Sequence, residues 1–239
     1  YDNPYFSAYE SPHIDDVDRV YGNAFADYNP LEWLNITYRV GADVYSDQRK
    51  QIFATGSWQA TDLSGEIFQN VKRNKEFYSD FLVNLNKSFG EFSTTLMLGH
   101  NMNHREYHDL FGRGRQLGVP GFYALSNAAE LYSDTYSQYV RTAAVFSVLN
   151  MEYSNFLFLN LTGRNEWAST FGPNESDFFY PSANVSFVFS EFLAEDNFLS
   201  FGKVRAAYAV SGINAPAYSS RTYYTQPFLT DGFTGGLSF

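Results

Sequence analysis

The chain has 239 residues, a formal net charge of −10 and no cysteine. That balance excludes a nucleic-acid surface, which needs clustered Lys and Arg, and it excludes disulfides and thiolate metal sites within the chain. No run approaches the ~20 apolar residues of a membrane helix, which excludes a helical membrane protein but not a barrel, whose strands alternate and never read as apolar blocks.

Tyr1-Asp-Asn-Pro-Tyr-Phe6 has no charged region followed by an apolar one, so no signal peptide is expected; the reading is a cytosolic protein or an internal piece of a longer one. A strand is expected over about 19–28, then a short reversal at Asn29-Pro-Leu-Glu32. From Leu34 to Val44 the pattern is period two: Leu34, Ile36, Tyr38, Val40, Ala42 and Val44 alternate with Asn35, Thr37, Arg39, Gly41 and Asp43. Residues 46–75 read as a long connection with weaker strands near 51–58 and 65–72. Strand 76–87, a turn at Lys87-Ser-Phe-Gly90 and an alternating strand from Phe92 to Leu98 follow. Residues 104–137 form a second long connection, before strands at 138–153 and 156–165 joined by Tyr153-Ser-Asn155. A third, 166–180, precedes the alternating run Ala183, Val185, Phe187, Phe189. Phe192 to Asn197 is a short reversal, with further strands over 199–210 and near 221–228.

Short turns thus fall at one end of the strands and long loops at the other, the asymmetry of an outer-membrane up-and-down barrel. Aromatics fit it: Trp33, Phe89, Phe92, Tyr153, Phe156, Phe158, Phe192 and Phe198 flank the short turns, and Tyr45, Phe77, Tyr78, Trp167, Phe179 and Tyr180 the long loops. A soluble β-sandwich alternates too, but lacks the long-short rhythm.

Thr162-Gly-Arg-Asn-Glu-Trp167, Phe178-Phe-Tyr-Pro-Ser182, Phe187-Val-Phe-Ser-Glu191, Leu199 to Tyr208 and Gly212-Ile-Asn-Ala-Pro-Ala-Tyr218, with Asn3-Pro-Tyr-Phe6, Asp18 to Asn23, Glu32-Trp-Leu34, Arg39 to Tyr45 and Val119 to Asn127 before them, carry a resemblance. In order and over most of the chain, they resemble the barrel region of SusC/RagA-like TonB-linked outer-membrane transporters of the Bacteroidetes. The resemblance implies an all-β fold, an antiparallel up-and-down transmembrane segment of a 22-stranded barrel, with residues 1–239 a partial barrel domain of at most about ten strands, lacking the plug and TonB-contacting segment. It implies active import, in the outer membrane, of a bulky glycan or peptide, with a SusD-like surface lipoprotein over the loops and the TonB complex acting through the plug. No enzyme activity and no cofactor is expected. A non-transporting carbohydrate-binding β protein, adhesin-like barrel or soluble sandwich, is the alternative.

On the barrel reading Leu34, Ile36, Tyr38 and Val40 face lipid, and Asn35, Thr37, Arg39 and Asp43 face the lumen, with Arg39 and Asp43 on one face to pair with each other or with the plug. Ligand contacts are expected from loop aromatics: Tyr107, Phe111, Phe122, Tyr123, Trp167, Phe171 and Phe178. No metal site is expected: His100 and His104 are ~13 Å apart along a strand, too far to share an ion. Gly112-Arg-Gly-Arg115 reads as a flexible loop without the strand-turn-helix frame of a phosphate site. Asp15, Asp16 and Asp18 read as solvated loop charge, and Glu166 and Asp177 as bracketing a loop without a catalytic relation. The sequons at Asn35, Asn160 and Asn184 fall inside strands and read as polar lumen positions.

Overall fold

A computed structural model describes residues 1–172, 177–193 and 199–219. A seven-residue helix α1 (Pro4–Glu10) opens the chain, its first turn capped by Asn3, whose side chain accepts from the Tyr5 N–H, with Pro4 where a missing N–H costs nothing. Eight strands follow: β1 (His13–Leu31), β2 (Leu34–Phe53), β3 (Glu66–Phe89), β4 (Phe92–Leu117), β5 (Ala128–Tyr153), β6 (Leu157–Ala168), β7 (Asp177–Val188) and β8 (Lys203–Ala209). They form one sheet in chain order, each strand beside its sequence neighbours. No second sheet covers it among the described residues, so the sandwich alternative fails.

The short reversals have the chemistry tight hairpins demand. Gly90 takes φ +58 as the first of two linking residues between β3 and β4, the position where a type II′ turn calls for Gly. Between β5 and β6, Ser154 and Asn155 take φ +46 and +60, and the Phe156 N–H returns to the Tyr153 carbonyl, a type I′ turn.

The long connections differ from expectation. Residues 46–53, 66–75, 104–117 and 128–137 are strand, so the loops shrink to 54–65 and 118–127. The segments at 51–58 and 65–72 are not separate strands; the first is mostly the end of β2 and the beginning of the loop, the second the beginning of β3. Strands β1 to β5 span 19 to 26 residues, about twice the ~9–11 a barrel strand needs to cross a bilayer. Asp15, Asp16 and Asp18 lie in β1 and Gly112 to Arg115 in β4, not in loops. Only 203–209 of the expected strand 199–210 is extended in the sheet. Phe198, part of the reversal 192–197 and the strand near 221–228 fall outside the described residues.

The chain divides into two compact units. The first holds Tyr1–Phe25, Arg39–Ser79 and Asn103–Tyr139; the second holds Ala26–Tyr38, Asp80–Met102 and the described residues from Val140 on.

In the second unit the register sorts side chains by chemistry. Met151, Leu159, Val185 and Ala206 stand opposite one another in a row across β5 to β8, flanked by the rows Leu149, Leu161, Ala183, Tyr208 and Tyr153, Leu157, Phe187, Val204. Alternate rows carry Asn150, Asn160, Asn184 and Glu152, Phe158, Ser186, Arg205. Because side chains alternate along a strand, one face is apolar and the other polar. At the short-turn end the apolar face closes in rings: Phe92 to Tyr153 at 4.5 Å, Tyr153 to Phe156 at 5.3 Å, and Phe156 to Phe192 at 4.8 Å. Phe158 is not part of that belt. It lies in the polar row with Lys203 Nζ 5.1 Å from its ring, and Tyr180 stands opposite Arg164 on the same face.

Candidate functional site

The polar face of the second unit is a ladder of amides. Asn35 Nδ2 donates to Asn29 (2.9 Å) and its Oδ1 accepts from Asn84 (3.0 Å), Thr37 donates to Asp27 (2.5 Å), Asn101 to Asp80 (2.5 Å) and Asn160 to Asn150 (2.6 Å). Each partner is one strand away, so these side chains share a face. A groove of about 260 Å³ runs along it, lined by Thr95, Asn150, Asn160, Asn184, Lys203 and Arg205 among others. Gly99 lets Phe146 lie flat on the sheet; a Cβ there would stand 2.2 Å from the ring, so only glycine fits under it.

The first unit carries a second polar-face groove, of about 300 Å³, lined by His13, Arg49, Gln51, Phe68, Asn70, Lys72 and Phe111. Rings cross four strands here: Phe53 to Phe68 at 5.7 Å, Phe68 to Phe111 at 6.1 Å, Phe111 to Tyr132 at 6.1 Å and Tyr107 to Tyr136 at 6.2 Å. Charges interleave with the rings. Asp109 accepts from Asn70 (2.5 Å) and from the Tyr107 hydroxyl (3.2 Å), and Asp47 is bridged by Arg49 (2.7 Å). The Arg49 hydrogen bonds hold the Asp47 carboxyl below its usual range, while burial and the nearby Asp109 charge push the Tyr107 phenol up. Glu66, 2% exposed, pairs with Arg113, whose guanidinium also lies 5.2 Å from the Phe68 ring. This aromatic, zwitterionic floor can stack on planar groups and pair with both signs of charge.

Of the expected ligand residues, the structure brings Phe111 into this groove, with Tyr107 joined to its lining through Asp109, both from strand β4 rather than from a loop. Phe122 and Tyr123 lie in the loop 118–127. Trp167 and Phe178 are in β6 and β7, and Phe171 in the following turn packs on Phe178 at 4.7 Å. Phe68 and Glu66, in a weaker strand inside an expected long connection, and Tyr132 and Tyr136, in a stretch expected to be loop, are not among the expected ligand residues. Among the expected lumen residues, Asn35 and Thr37 sit in the amide ladder, and Arg39 lies on the same strand at the same parity. Asp43 is bridged by Arg19 of β1 at 2.5 and 2.8 Å. Tyr78 also belongs to the polar face, its ring lying over Gly41.

Arg113 and Arg115, read as loop cations, are both engaged, Arg115 with Glu130 at 3.2 Å. Gly112 and Gly114 make room for Leu125, which folds back against them. His104 bonds Glu106 (2.9 Å), and His108 meets Ser137 (3.0 Å) and Tyr139 (3.2 Å). Glu166 is held by Arg164 and Asn214 and Asp177 by Asn165, so the two carboxylates have separate partners.

No family model and no curated protein matches the sequence. Among solved structures the chain is similar to the RagAB peptide transporter, with a TM-score of 0.83 and 18% identity over 98% of this chain and 27% of that one. It is similar in the same way to the RagAB peptide importer in the 'open-open' state (TM-score 0.80, 19%, covering 98% and 26%). A siderophore receptor, PiuA from Acinetobacter baumannii, matches more loosely (TM-score 0.51, 10%, covering 82% and 32%). The chain spans about a quarter of the length of the RagAB chains it matches. Its fold is that of a section of a RagA-like barrel wall, eight antiparallel strands running up and down in chain order.

Proposed function

We propose that the chain is part of the wall of an outer-membrane, TonB-dependent importer that takes up a bulky nutrient, glycan or peptide, together with a SusD-like surface lipoprotein. The observation that carries this reading is the segregation of faces in the second unit. Leu149, Leu161 and Ala183 against Asn150, Asn160 and Asn184 is the pattern of a wall with lipid on one side and water on the other. A similar fold in the RagAB peptide transporter supports import as the task. Asn35, Thr37, Arg39 and Asp43 then face the lumen, while Leu34, Ile36 and Tyr38 face acyl chains.

On this reading substrate contact falls to the groove of the first unit, with Phe111 in its lining and Tyr107 beside it through Asp109. Its alternation of rings, carboxylates and cations suits a peptide, whose backbone and termini offer both signs of charge; the rings alone would also serve sugars. On this reading the wall acts by binding and enclosing.

The test uses the full-length parent in its native outer membrane. Uptake of a fluorescent peptide or oligosaccharide that stops when a protonophore collapses the proton gradient, with a lipoprotein retained through detergent purification, is the expected outcome. A parent that stays monodisperse without detergent, or a barrel whose uptake ignores the gradient, overturns the reading.

A further inference from the structure

We infer that Trp58, at the tip of the loop 54–65, is the anchor of a protein-docking face whose partner presents an apolar cleft edged with lysine or arginine. Trp58 is 75% exposed, although the loop that carries it is tied at many points. The Asp2 carboxylate accepts from Ser57 Oγ (2.6 Å) and from the Trp58 N–H (2.9 Å), and the Ala54 N–H donates to Ser11 Oγ (3.1 Å), so both ends of the α1 segment clasp the loop. Within the loop the Gly56 N–H reaches the Leu63 carbonyl (2.7 Å), Thr55 Oγ1 the Ser64 carbonyl (3.1 Å), and Asp62 accepts from Ser64 Oγ (2.5 Å). Exposure of a large ring normally goes with a mobile loop; here the backbone behind it is fixed.

A fixed, exposed indole loses little entropy on binding, which is what makes a residue an energetic anchor. Tyr5 and Tyr9, one turn apart on α1, are 77% and 79% exposed and extend the aromatic surface. The charge around it sets the partner's chemistry. Residues 1–18 and 54–65 contain Asp2, Glu10, Asp15, Asp16, Asp18 and Asp62 and not one Lys or Arg, and the two β4 cations that reach the loop, Arg113 at Thr61 and Arg115 near Asp62, are already paired with Glu66 and Glu130. An apolar anchor in an acidic field selects an apolar cleft with a cationic rim and repels anionic lipid headgroups. The inference rests on the proposed function only in taking this loop to face the cell exterior.

The full-length parent, in native outer membranes, is tested with Trp58 replaced by a photo-crosslinking phenylalanine derivative, and separately with Trp58→Ala and Trp58→Phe. A Ser126→Cys variant reports orientation, since the chain has no cysteine of its own and Ser126 is exposed. The expected result is a crosslink to one second protein, mapped to apolar residues beside Lys or Arg. Retention of that protein should fall more than about tenfold in Trp58→Ala, recover partly in Trp58→Phe and weaken with added salt. If Ser126→Cys is labelled from outside by a membrane-impermeant maleimide while the crosslink goes to lipid or to the parent itself, or Trp58→Ala retains the partner, the docking face is overturned and the importer reading stands. If Ser126→Cys is not labelled in intact cells, the outward orientation fails and the docking face with it.

Discussion

The two compact units share strands β1 to β5 yet obey different rules. Along β4, Leu96 and Leu98 in the second unit give way at the same parity to His104, Glu106 and His108 in the first; along β3, Phe81 and Val83 give way to Lys75 and Arg73. Lys75 Nζ lies 3.9 Å from Glu106, a contact that belongs in water. The second unit carries apolar rows on one face and polar ones on the other; the first carries polar and paired side chains on both.

The largest test of that difference places one charge in each unit. Leu161→Arg puts a cation in the middle of the apolar rows and should cost ~2–4 kcal/mol, enough to empty the folded, SDS-resistant band of the full-length parent. Thr162→Arg, one residue on and on the polar face, should leave the band intact. Val71→Arg in the first unit, beside Arg73 at the same parity, should be tolerated too. Equal losses from Leu161→Arg and Val71→Arg would erase the distinction between the units.

A smaller effect is expected where glycine seats a ring. Gly99→Val drives branched carbons into Phe146, for an overpacking cost of about 1–3 kcal/mol in urea unfolding from micelles. Adding Phe146→Ala should recover most of it, because the obstacle is a side-chain ring and not backbone. Lack of recovery would mean that Gly99 is needed for the strand itself.

The amide ladder should contribute less per member. Asn160→Ala removes a 2.6 Å bond to Asn150 at a water-facing site and should cost about 0.5–1.5 kcal/mol, with Asn150→Ala adding little beyond it. Full additivity in the double variant would show that the two amides do not depend on one another.

The same contrast explains what the sequence disclosed. Leu34 to Val44, Phe92 to Leu98 and Ala183 to Phe189 were legible because an apolar face backed by a polar one gives a period-two hydrophobic signal. Residues 103–109, Asn-His-Arg-Glu-Tyr-His-Asp, are equally extended but polar on both faces, so no alternation survives and they read as loop. Gly112 and Gly114 deepened the error: glycine signals a turn, whereas here it makes room for Leu125. The groove was half hidden for that reason, Phe111 being singled out as an aromatic while Phe68 was not. Register is the other blind spot. Arg39 and Asp43 share a face of β2, but which residue of β1 stands beside Asp43 depends on the turn and the ladder, and Arg19 is there.

The smallest expected effect concerns the clasp on the loop 54–65. Hydrogen bonds from Ser57 Oγ and the Trp58 N–H hold the Asp2 carboxyl below its ordinary value. Because the folded state lowers this pKa relative to a free chain near ~3.9, the clasp's contribution is complete above that pH and is lost as pH falls through the folded value. Amide exchange at Trp58, divided by its intrinsic rate, should therefore stay flat from about pH 5 to 8 and rise at more acid pH, while the Asn160 amide, held in the sheet between β5 and β7, does not change. Asp2→Asn keeps an acceptor but loses the charge, so it should exchange faster at neutral pH and show no acid transition. A Trp58 amide as protected in Asp2→Asn as in the parent would mean that the loop's internal bonds, Gly56 to Leu63 and Thr55 to Ser64, fix its shape without the α1 segment.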